Sequence, residues 1–255
     1  MPNIDNGYFE YSLTGTGENC IVFMNGFRIK FDSWDRVCGK IPGNYSMLLF
    51  NRLGVGSSLK ATTKQTGSVV VTEIHEFLSK IQIKPPYLLV AHSLGGIYAN
   101  LYARTFPNDV SGVVFVEAPH PSEIALQRNF KPPVILRAIN DGIKRFEKIF
   151  DRFKYSEDEC IEETVLQVQN SGSFPNVPVT VVSGTKRMPF VPQEAFDTHL
   201  RFQVMLLNLS EHSKQWKCNE SGHFPQLTEP DVVANAITET AMETRSEQTL
   251  QRTSR

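Results

Sequence analysis

Residues 87–96 read Tyr87-Leu-Leu-Val-Ala-His-Ser93-Leu-Gly95-Gly96, an apolar run that ends at a serine and is followed by two glycines. The run is typical of a short buried strand, and apolar residues repeat at helical spacing directly after it. A serine at such a strand-to-helix turn is held in a strained conformation with its hydroxyl exposed above the sheet. Small residues are needed two positions before and after it, because neighbouring backbone approaches closely, and Ala91 and Gly95 satisfy that need. The stretch predicts that Ser93 is a nucleophile.

Leu94 begins the predicted helix, so its backbone N–H is expected to point at the negative charge that develops when Ser93 attacks a carbonyl group. The alternative is that Ser93 only caps the helix N-terminus, as many serines do. The order of strand, serine and paired glycines favours the nucleophile.

Short apolar runs alternate with amphipathic stretches along most of the chain, and this alternation predicts an α/β fold with a mostly parallel sheet. The first strands are joined by short turns and could be antiparallel. The predicted strands are Tyr8–Leu13, Cys20–Met24, Ser46–Phe50, Tyr87–Ala91, Gly112–Val116, Val179–Ser183 and Lys214–Cys218.

One region interrupts the alternation, and we call residues 121–176 the cap segment. It contains no convincing strand, and its apolar residues Ile139, Ile143, Phe146, Phe150 and Phe153 fall on one helical face. The sequence therefore predicts an α/β core formed by residues 1–120 and 177–240, with a helical cap inserted over the sheet. The polar residues 241–255 are predicted to form a disordered tail.

Composition limits the possible partners. The chain has 255 residues and a net charge of −1, which argues against nucleic acid or an anionic membrane as the main partner. The amino terminus has no signal-peptide pattern, and no apolar run approaches the length of a membrane span. The four cysteines are scattered, as expected for reduced thiols. We therefore expect a cytoplasmic protein with no cofactor and, since no ligand spacing occurs among His and Cys, no metal.

The motifs together resemble the α/β-hydrolase-fold serine hydrolases, from about Tyr8 to Ile237. Residues 91–95 resemble the nucleophile elbow of that family, with Ala91 in place of the usual first glycine. Asn25-Gly-Phe27 resembles its His-Gly oxyanion segment, with Asn25 in place of histidine. The resemblance implies that the backbone N–H of Phe27 is the second oxyanion donor, beside that of Leu94.

Residues 51–57, Asn-Arg-Leu-Gly-Val-Gly-Ser, resemble the Asp-Arg-x-Gly-x-Gly loop that follows the next strand in the same family. The glycines could instead belong to a dinucleotide-binding fingerprint. That alternative is disfavoured because Leu59 occupies the place of the third glycine and no helical pattern follows at once.

His223 is the predicted general base. It lies in Gly222-His-Phe-Pro225, just after the last predicted strand, and this segment with Glu229-Pro230 resembles the carboxy-terminal histidine loop of the family. From such a loop an imidazole reaches back over the sheet to the serine. The alternative is a loop histidine that only forms a turn hydrogen bond.

The acid partner of His223 is less direct to assign. The family often places an aspartate where this chain has Arg187, which cannot orient a histidine. Some α/β hydrolases instead use a carboxylate at the end of the preceding strand. Glu117 occupies that position here, and the resemblance favours it as the acid of the triad. Glu117 could alternatively form a buried ion pair with Arg187 or Arg52. The remaining candidate acids are Asp197 and Glu194.

The other histidines receive structural interpretations. His92 is expected to pack under the sheet, and His75 to lie at the surface or to form a hydrogen bond. His120 and His199 are candidates for the mouth of a pocket.

The function that these residues imply is hydrolysis of an ester through a Ser-His-acid triad and an acyl-enzyme, on a small or medium-sized apolar substrate. Amidase, thioesterase, lactonase, peptidase and C–C hydrolase activities use nearly the same residues and stay open as alternatives. A non-catalytic binding protein on the same fold is the alternative from another class, suggested by Arg187 at the usual acid position.

Overall fold

The structure is a computed structural model, which describes residues 3–4, 8–17, 19–127, 144, 147–189 and 191–253. Its strands are β1 (Asn3–Ile4), β2 (Glu10–Thr14), β3 (Cys20–Met24), β4 (Ser46–Asn51), β5 (Tyr87–His92), β6 (Val110–Val116), β7 (Val179–Gly184) and β8 (Ser213–Cys218). Its helices are α1 (Asp35–Cys38), α2 (Gly67–Lys80), α3 (Leu94–Thr105), α4 (Pro121–Gln127), α5 (Ser156–Glu159), α6 (Ile161–Asn170), α7 (Gln193–Met205), α8 (Pro225–Thr228) and α9 (Pro230–Thr253).

The strands form one sheet in the order β1-β2-β4-β3-β5-β6-β7-β8. The pairs β1–β2 and β2–β4 are antiparallel, and the other neighbours are parallel. The predicted mostly parallel α/β sheet is confirmed. The predicted strands all occur with small shifts of their ends. The largest shifts are two residues, at β2, which begins at Glu10 rather than Tyr8, and at β6, which begins at Val110 rather than Gly112.

Helices cover both faces of the sheet, which explains why its central strands are apolar on both sides. In β3, Val22 belongs to the core under α2 and α3, while its neighbours Ile21 and Phe23 belong to the core under α1 and α9. The side chain of Thr66 caps α2 by accepting a hydrogen bond from the Val69 N–H. The six strands that are adjacent in the sheet as β4-β3-β5-β6-β7-β8 are parallel, so their carboxyl ends meet along one edge of the sheet.

The cap segment lies between β6 and β7 in the chain. Its helix α6 buries Thr164, Val165 and Val168 and packs against α2, α3 and α4. The helical face predicted for this segment is only partly covered by the structure, because Ile139, Ile143 and Phe146 lie outside the described residues. Phe150, predicted to face inward, is 68% exposed. No helix in the described ranges is long and apolar enough to cross a membrane.

The carboxy-terminal region differs from the sequence prediction, since α9 continues through residues 241–253 where a disordered tail was predicted. Ala241 and Thr244 are buried despite the polar sequence around them. A side chain at Gly112 would lie 2.9 Å from Cγ2 of Thr244, so the glycine lets the helix lie close to β6. Arg245 extends over the ring of Tyr45, 4.1 Å from its centre. Small buried residues therefore anchor a helix that its composition did not reveal.

Candidate active site

Ser93 lies on the sharp turn between β5 and α3, as the sequence predicted. Its backbone has φ 51° and ψ −125°, a conformation that non-glycine residues avoid at a cost of about 1–3 kcal/mol. The turn is held by two backbone hydrogen bonds, from the Ser93 N–H to the carbonyl of Val116 and from the Gly96 N–H to the carbonyl of Ser93. The backbone conformation of this turn exposes the Ser93 hydroxyl above the carboxyl edge of the sheet.

The glycines near Ser93 allow a close approach of the chain. A Cβ atom at Gly95 would lie 2.3 Å from the carbonyl oxygen of Met24 and 2.7 Å from that of Asn25. A Cβ atom at Gly26 would lie 3.2 Å from Cβ of Ser93. The segment after β3 therefore lies directly against the serine turn, and Gly95 is required for that contact.

His223 reaches Ser93 from the loop after β8. Its Nε2 atom lies 3.1 Å from Oγ of Ser93. The loop is held at its base, because the carboxylate of Glu229 accepts hydrogen bonds from the Glu220 N–H at 2.9 Å and the Ser221 hydroxyl at 2.5 Å. The Glu229 of the predicted histidine loop thus anchors the segment that carries the imidazole.

Glu117 follows the last residue of β6 and lies on the far side of His223 from Ser93. Its Oε2 atom is 3.6 Å from Nδ1 of His223, an ion-pair distance slightly longer than a hydrogen bond. Its Oε1 atom accepts a hydrogen bond of 2.7 Å from the Gly184 N–H. Burial alone would raise the pKa of this carboxyl group, but His199, His223 and the Gly184 N–H lower it to about 2. Glu117 is therefore a charged, buried carboxylate next to the imidazole of His223.

His199 is an additional member of the site. Its Nε2 atom lies 3.2 Å from Oε2 of Glu117, and its Nδ1 atom lies 2.7 Å from Oε1 of Glu123. Burial alone would lower the pKa of His199, but the two carboxylates raise it to about 10. Since each ring nitrogen faces a carboxylate oxygen, the geometry fits an imidazolium that donates to both.

Sequence reasoning missed this cluster. It placed His199 at a pocket mouth and did not consider Glu123, which lies in the first turn of α4, where acidic residues are ordinary. The signal that could have found His199 is its spacing on α7. It lies three and four residues after the half-buried Phe196 and Ala195, and therefore on the same face of the helix.

The other candidate acids lie away from His223. Glu194 and Asp197 are exposed on α7, and Asp197 accepts a hydrogen bond of 2.8 Å from the amide of Gln193. Arg187 is also exposed and donates to the carbonyl of Val191. Of the predicted acids, the structure brings only Glu117 to the imidazole.

His92 is buried, as expected, but it also contacts the site. Its Nε2 atom lies 2.8 Å from the carbonyl oxygen of His223, so Nε2 must carry the proton. Burial and, to a smaller extent, the proximity of His223 lower the pKa of His92 to about 4, so the ring is neutral at pH 7. His92 therefore helps to hold the backbone of the histidine loop.

His75 and His120 take no part in these contacts. His75 is stacked on Phe106 with ring centres 3.9 Å apart. His120 accepts a hydrogen bond of 3.1 Å from the Ser122 N–H at the start of α4.

The predicted oxyanion donors lie on the wall of a cavity of about 540 Å³ beside Ser93. Phe27 follows the segment that contacts the serine turn, and Leu94 is the first residue of α3, where backbone N–H groups have no partner within the helix. Asn25, in the place of the family's histidine, is a structural residue. It accepts a hydrogen bond of 2.9 Å from the Trp34 indole and donates to the carbonyl of Phe50.

A second cavity of about 410 Å³ also opens at Ser93. It is lined by His223 and His199, and also by Ala195 and Phe196 of α7. The two cavities share Ser93, Pro119 and Ile124. In the described part of the chain, no group of three or more His, Cys, Asp or Glu side chains is placed to hold a metal ion.

A serine hydroxyl, an imidazole and a carboxylate at the carboxyl edge of a mostly parallel sheet, in the chain order Ser93, Glu117, His223, define a site of the α/β-hydrolase class. The chain belongs to the alpha/beta hydrolase fold family, which matches residues 20–159, more than half of its length.

Comparisons with known proteins agree with this family. The chain is 29% identical to the uncharacterized protein YqjL of Bacillus subtilis (strain 168), over 88% of this chain and 83% of that protein. It is 26% identical to a probable serine hydrolase of Drosophila melanogaster, over 74% of this chain and 57% of that protein. Some other relatives are matched over only about a third of their own length.

Solved structures share the fold at low sequence identity. The structure of Cfl2 from Burkholderia cenocepacia aligns with a TM-score of 0.68 and 16% identity, covering 93% of this chain and 94% of that one. The architecture is therefore common to both, independently of the individual side chains.

Proposed function

We propose that the protein is a serine esterase that cleaves carboxylic esters of small or medium size. The observation that carries the proposal is the contact between Oγ of Ser93 and Nε2 of His223 at 3.1 Å, with Glu117 beyond the imidazole. A nucleophile, a base and an orienting acid in hydrogen-bond reach form the arrangement used for acyl transfer.

Acylation follows from this geometry. Nε2 of His223 takes the proton of Ser93 while Oγ attacks the ester carbonyl carbon. The N–H groups of Phe27 and Leu94 stabilise the oxyanion, a contribution worth about 10²–10³-fold in rate for one donor. The ester C–O bond then breaks, and the imidazolium gives its proton to the departing alcohol.

Deacylation uses the same groups in reverse. His223 removes a proton from water, the resulting hydroxide attacks the acyl carbon, and the bond to Oγ breaks as Ser93 regains a proton. The products are a carboxylic acid and an alcohol, and no further reactant is needed. Glu117 stays ionised throughout and stabilises the imidazolium that forms in both halves of the reaction.

The lining of the two cavities supports an apolar substrate. The first is bordered by Phe27, Leu94, Ile124 and Ile161, and the second by Met188, Val191, Ala195 and Phe196. Their volumes of about 540 and 410 Å³ are within the usual range for small-molecule sites. We therefore propose that p-nitrophenyl acetate and p-nitrophenyl butyrate are better substrates than p-nitrophenyl palmitate, whose acyl chain is much longer.

The alternative of a binding protein without activity was suggested by Arg187. In the fold, Glu117 rather than a residue near Arg187 approaches His223, which supports the enzyme over the binding protein. A neutral small-molecule partner also agrees with the net charge of −1. The cysteines Cys20, Cys38, Cys160 and Cys218 are free thiols, which supports a reducing, cytoplasmic location.

A fluorophosphonate probe tests the proposal directly, because it reacts covalently with an activated serine. Wild-type protein should be labelled and should hydrolyse p-nitrophenyl acetate, and Ser93→Ala should do neither. Ser68→Ala, at an exposed serine at the start of α2, serves as the matched control and should behave as wild type. Folded wild-type protein that is neither labelled nor active would show that the proposal is wrong.

A further inference from the structure

Arg52 is a buried cation that contacts both the segment after β3 and the cap segment. Its Nη1 atom donates to the carbonyl of Asn25 at 2.6 Å, and its Nη2 atom donates to the carbonyl of Gly26 at 3.1 Å. Its Nε and Nη2 atoms donate to the two carboxylate oxygens of Glu157 at 2.5 and 3.0 Å. The guanidinium is 5.1 Å from the ring centre of Tyr98. One side chain thus joins two parts of the chain that are distant in sequence.

The contact with Gly26 has a consequence for the neighbouring N–H group. The carbonyl of Gly26 and the N–H of Phe27 belong to one planar peptide unit, which is trans. In a trans peptide unit these two groups point in opposite directions. Holding the carbonyl on the side of Arg52 therefore fixes the direction of the Phe27 N–H on the other side.

Both residues of this peptide unit lie next to Ser93. A Cβ atom at Gly26 would lie 3.2 Å from Cβ of Ser93, and Phe27 lines the cavity that opens at the serine. A rotation of this peptide unit would turn the N–H of Phe27 away from the position of the oxyanion. Its orientation therefore has to be maintained by the groups that bind the carbonyl of Gly26, which are the guanidinium of Arg52 at 3.1 Å and the N–H of Ile29 at 3.3 Å.

Glu157 maintains the position of Arg52. The paired contact between a guanidinium and a carboxylate is directional, since two parallel hydrogen bonds fix both groups in one plane. Both side chains are almost fully buried, so solvent screens their attraction little. The adjacent Ser156 is tied to the core as well, because its hydroxyl accepts a hydrogen bond of 2.8 Å from the Gln65 N–H.

We propose that Glu157 of the cap segment is a positioning residue for the oxyanion site. Through Arg52 it helps to fix the peptide unit between Gly26 and Phe27. Both oxyanion donors, the N–H groups of Phe27 and Leu94, belong to the core, but the orientation of the first depends on the cap segment. The inference rests on the proposed function of the Phe27 N–H group. It extends that function by assigning a role in the chemical step to a residue that does not touch the substrate.

A purely structural role of the ion pair is the alternative, and the chain offers a matched control for it. The hydroxyl of Thr164 accepts a hydrogen bond of 2.8 Å from the Gly67 N–H, which is another buried contact between the cap segment and the core. It does not involve Asn25, Gly26 or Arg52. Thr164→Val should therefore weaken cap docking without changing the oxyanion segment.

The experiment compares Glu157→Gln, Glu157→Asp and Thr164→Val with the wild type by hydrogen–deuterium exchange and by ester kinetics. In Glu157→Gln we expect faster exchange in peptides covering residues 25–28, and a kcat lowered by about 10- to 100-fold with little change in KM, less than the loss of a whole donor. Thr164→Val should show wild-type exchange in residues 25–28 and a wild-type kcat, even where its melting temperature falls.

Glu157→Asp covers the case in which Glu157→Gln fails to fold, because removing the charge leaves Arg52 buried without its counter-ion. The aspartate keeps the charge but is one methylene shorter, so exchange and kcat should lie between those of wild type and the glutamine variant. Exchange and kcat that match wild type in the folded Glu157 variants, or that match the changes in Thr164→Val, would overturn the inference.

The same data separate the two proposals. A wild-type protein without Ser93-dependent ester turnover, in which Glu157→Gln still accelerates exchange at residues 25–28, would contradict the esterase and leave the positioning by Glu157 supported. An active wild-type protein with unchanged Glu157 variants would contradict the positioning alone.

Discussion

The Nε2 atom of His199 lies 3.2 Å from Oε2 of Glu117, closer than the 3.6 Å that separates Nδ1 of His223 from the same oxygen. Two imidazoles therefore share one carboxylate oxygen, and only one of them also reaches Ser93. The second contact of His199, with Glu123, keeps both of its ring nitrogens engaged. Two carboxylates and one imidazolium leave a single net negative charge facing His223, which is the charge that an orienting acid supplies.

Glu117 is predicted to be required for turnover, whereas Asp197 is not. Glu117→Gln keeps the shape of the side chain but removes the charge that stabilises the imidazolium, so kcat for p-nitrophenyl acetate should fall by about 10³- to 10⁴-fold. Asp197→Asn makes the same chemical change on the exposed surface of α7 and should leave kcat near wild type. The opposite pattern would identify Asp197 as the acid.

His199 is predicted to keep Glu117 ionised down to low pH. Its contact with Glu117 helps to lower the pKa of that carboxyl group to about 2, together with His223 and the Gly184 N–H. In His199→Gln the carboxylate loses the imidazolium that faces it, so its pKa should rise, as read from the pH dependence of the ¹³C NMR shift of the Glu117 carboxyl carbon. His120→Gln is the control, since His120 contacts Ser122 rather than Glu117. Superimposable titration curves of Glu117 in His199→Gln and in the wild type would contradict this role.

The stability of the fold is predicted to fall in alkali because of His199. The pKa of His199 is about 10 in the folded protein and roughly 6.5 in an unfolded chain. Between these values the folded state binds more protons than the unfolded state, so the free energy of unfolding decreases as the pH rises. The contribution is complete below pH 6.5 or so and is lost as the pH passes about 10.

Denaturant unfolding across that interval measures the effect. The free energy of unfolding of the wild type should decrease more steeply with pH than that of His199→Gln, in which the group that binds the proton is absent. Parallel pH dependences for the two proteins would show that His199 does not carry a raised pKa.

Gly184 is predicted to be needed for the placement of the histidine loop. A Cβ atom at Gly184 would lie 2.2 Å from the carbonyl oxygen of Gly222 and 2.6 Å from that of Ser221, so Gly184→Ala must displace the loop that carries His223. A displacement of about 1 Å can lower a rate by roughly 10²-fold. Gly43→Ala, where nothing lies within 4 Å, is the matched control. Equal kcat values for the two variants would contradict the prediction.

The parts of the site that were predictable from the sequence are those encoded by short local patterns. The turn at Ser93 needs a strand, small neighbours and a helix start within ten residues, and each leaves a compositional trace. Glu117 was accessible for a related reason, because the ends of parallel strands meet at one edge of the sheet. Its proximity to His223 follows from the order of β5, β6, β7 and β8.

The contacts that the sequence did not reveal join residues far apart in the chain. His199 and Glu123 are 76 positions apart, and Arg52 and Glu157 are 105 positions apart. Helical periodicity tells which face of α7 is buried but not which carboxylate lies opposite. The end of α9 was missed for a different reason, since burial of Ala241 and Thr244 depends on the space above Gly112 rather than on hydrophobic periodicity.

The two cavities that meet at Ser93 bear on the design of selective inhibitors. Ile161 borders only the first cavity and Phe196 only the second, while Ile124 belongs to both. A covalent inhibitor that carries two substituents of different size on its electrophilic centre would therefore place one substituent, or arm, in each cavity. Each cavity would limit the size of its own substituent independently of the other. Enlarging one cavity at Ile161 would relax the preference for one arm and leave the preference for the other intact, so the same serine could be retuned one substituent at a time.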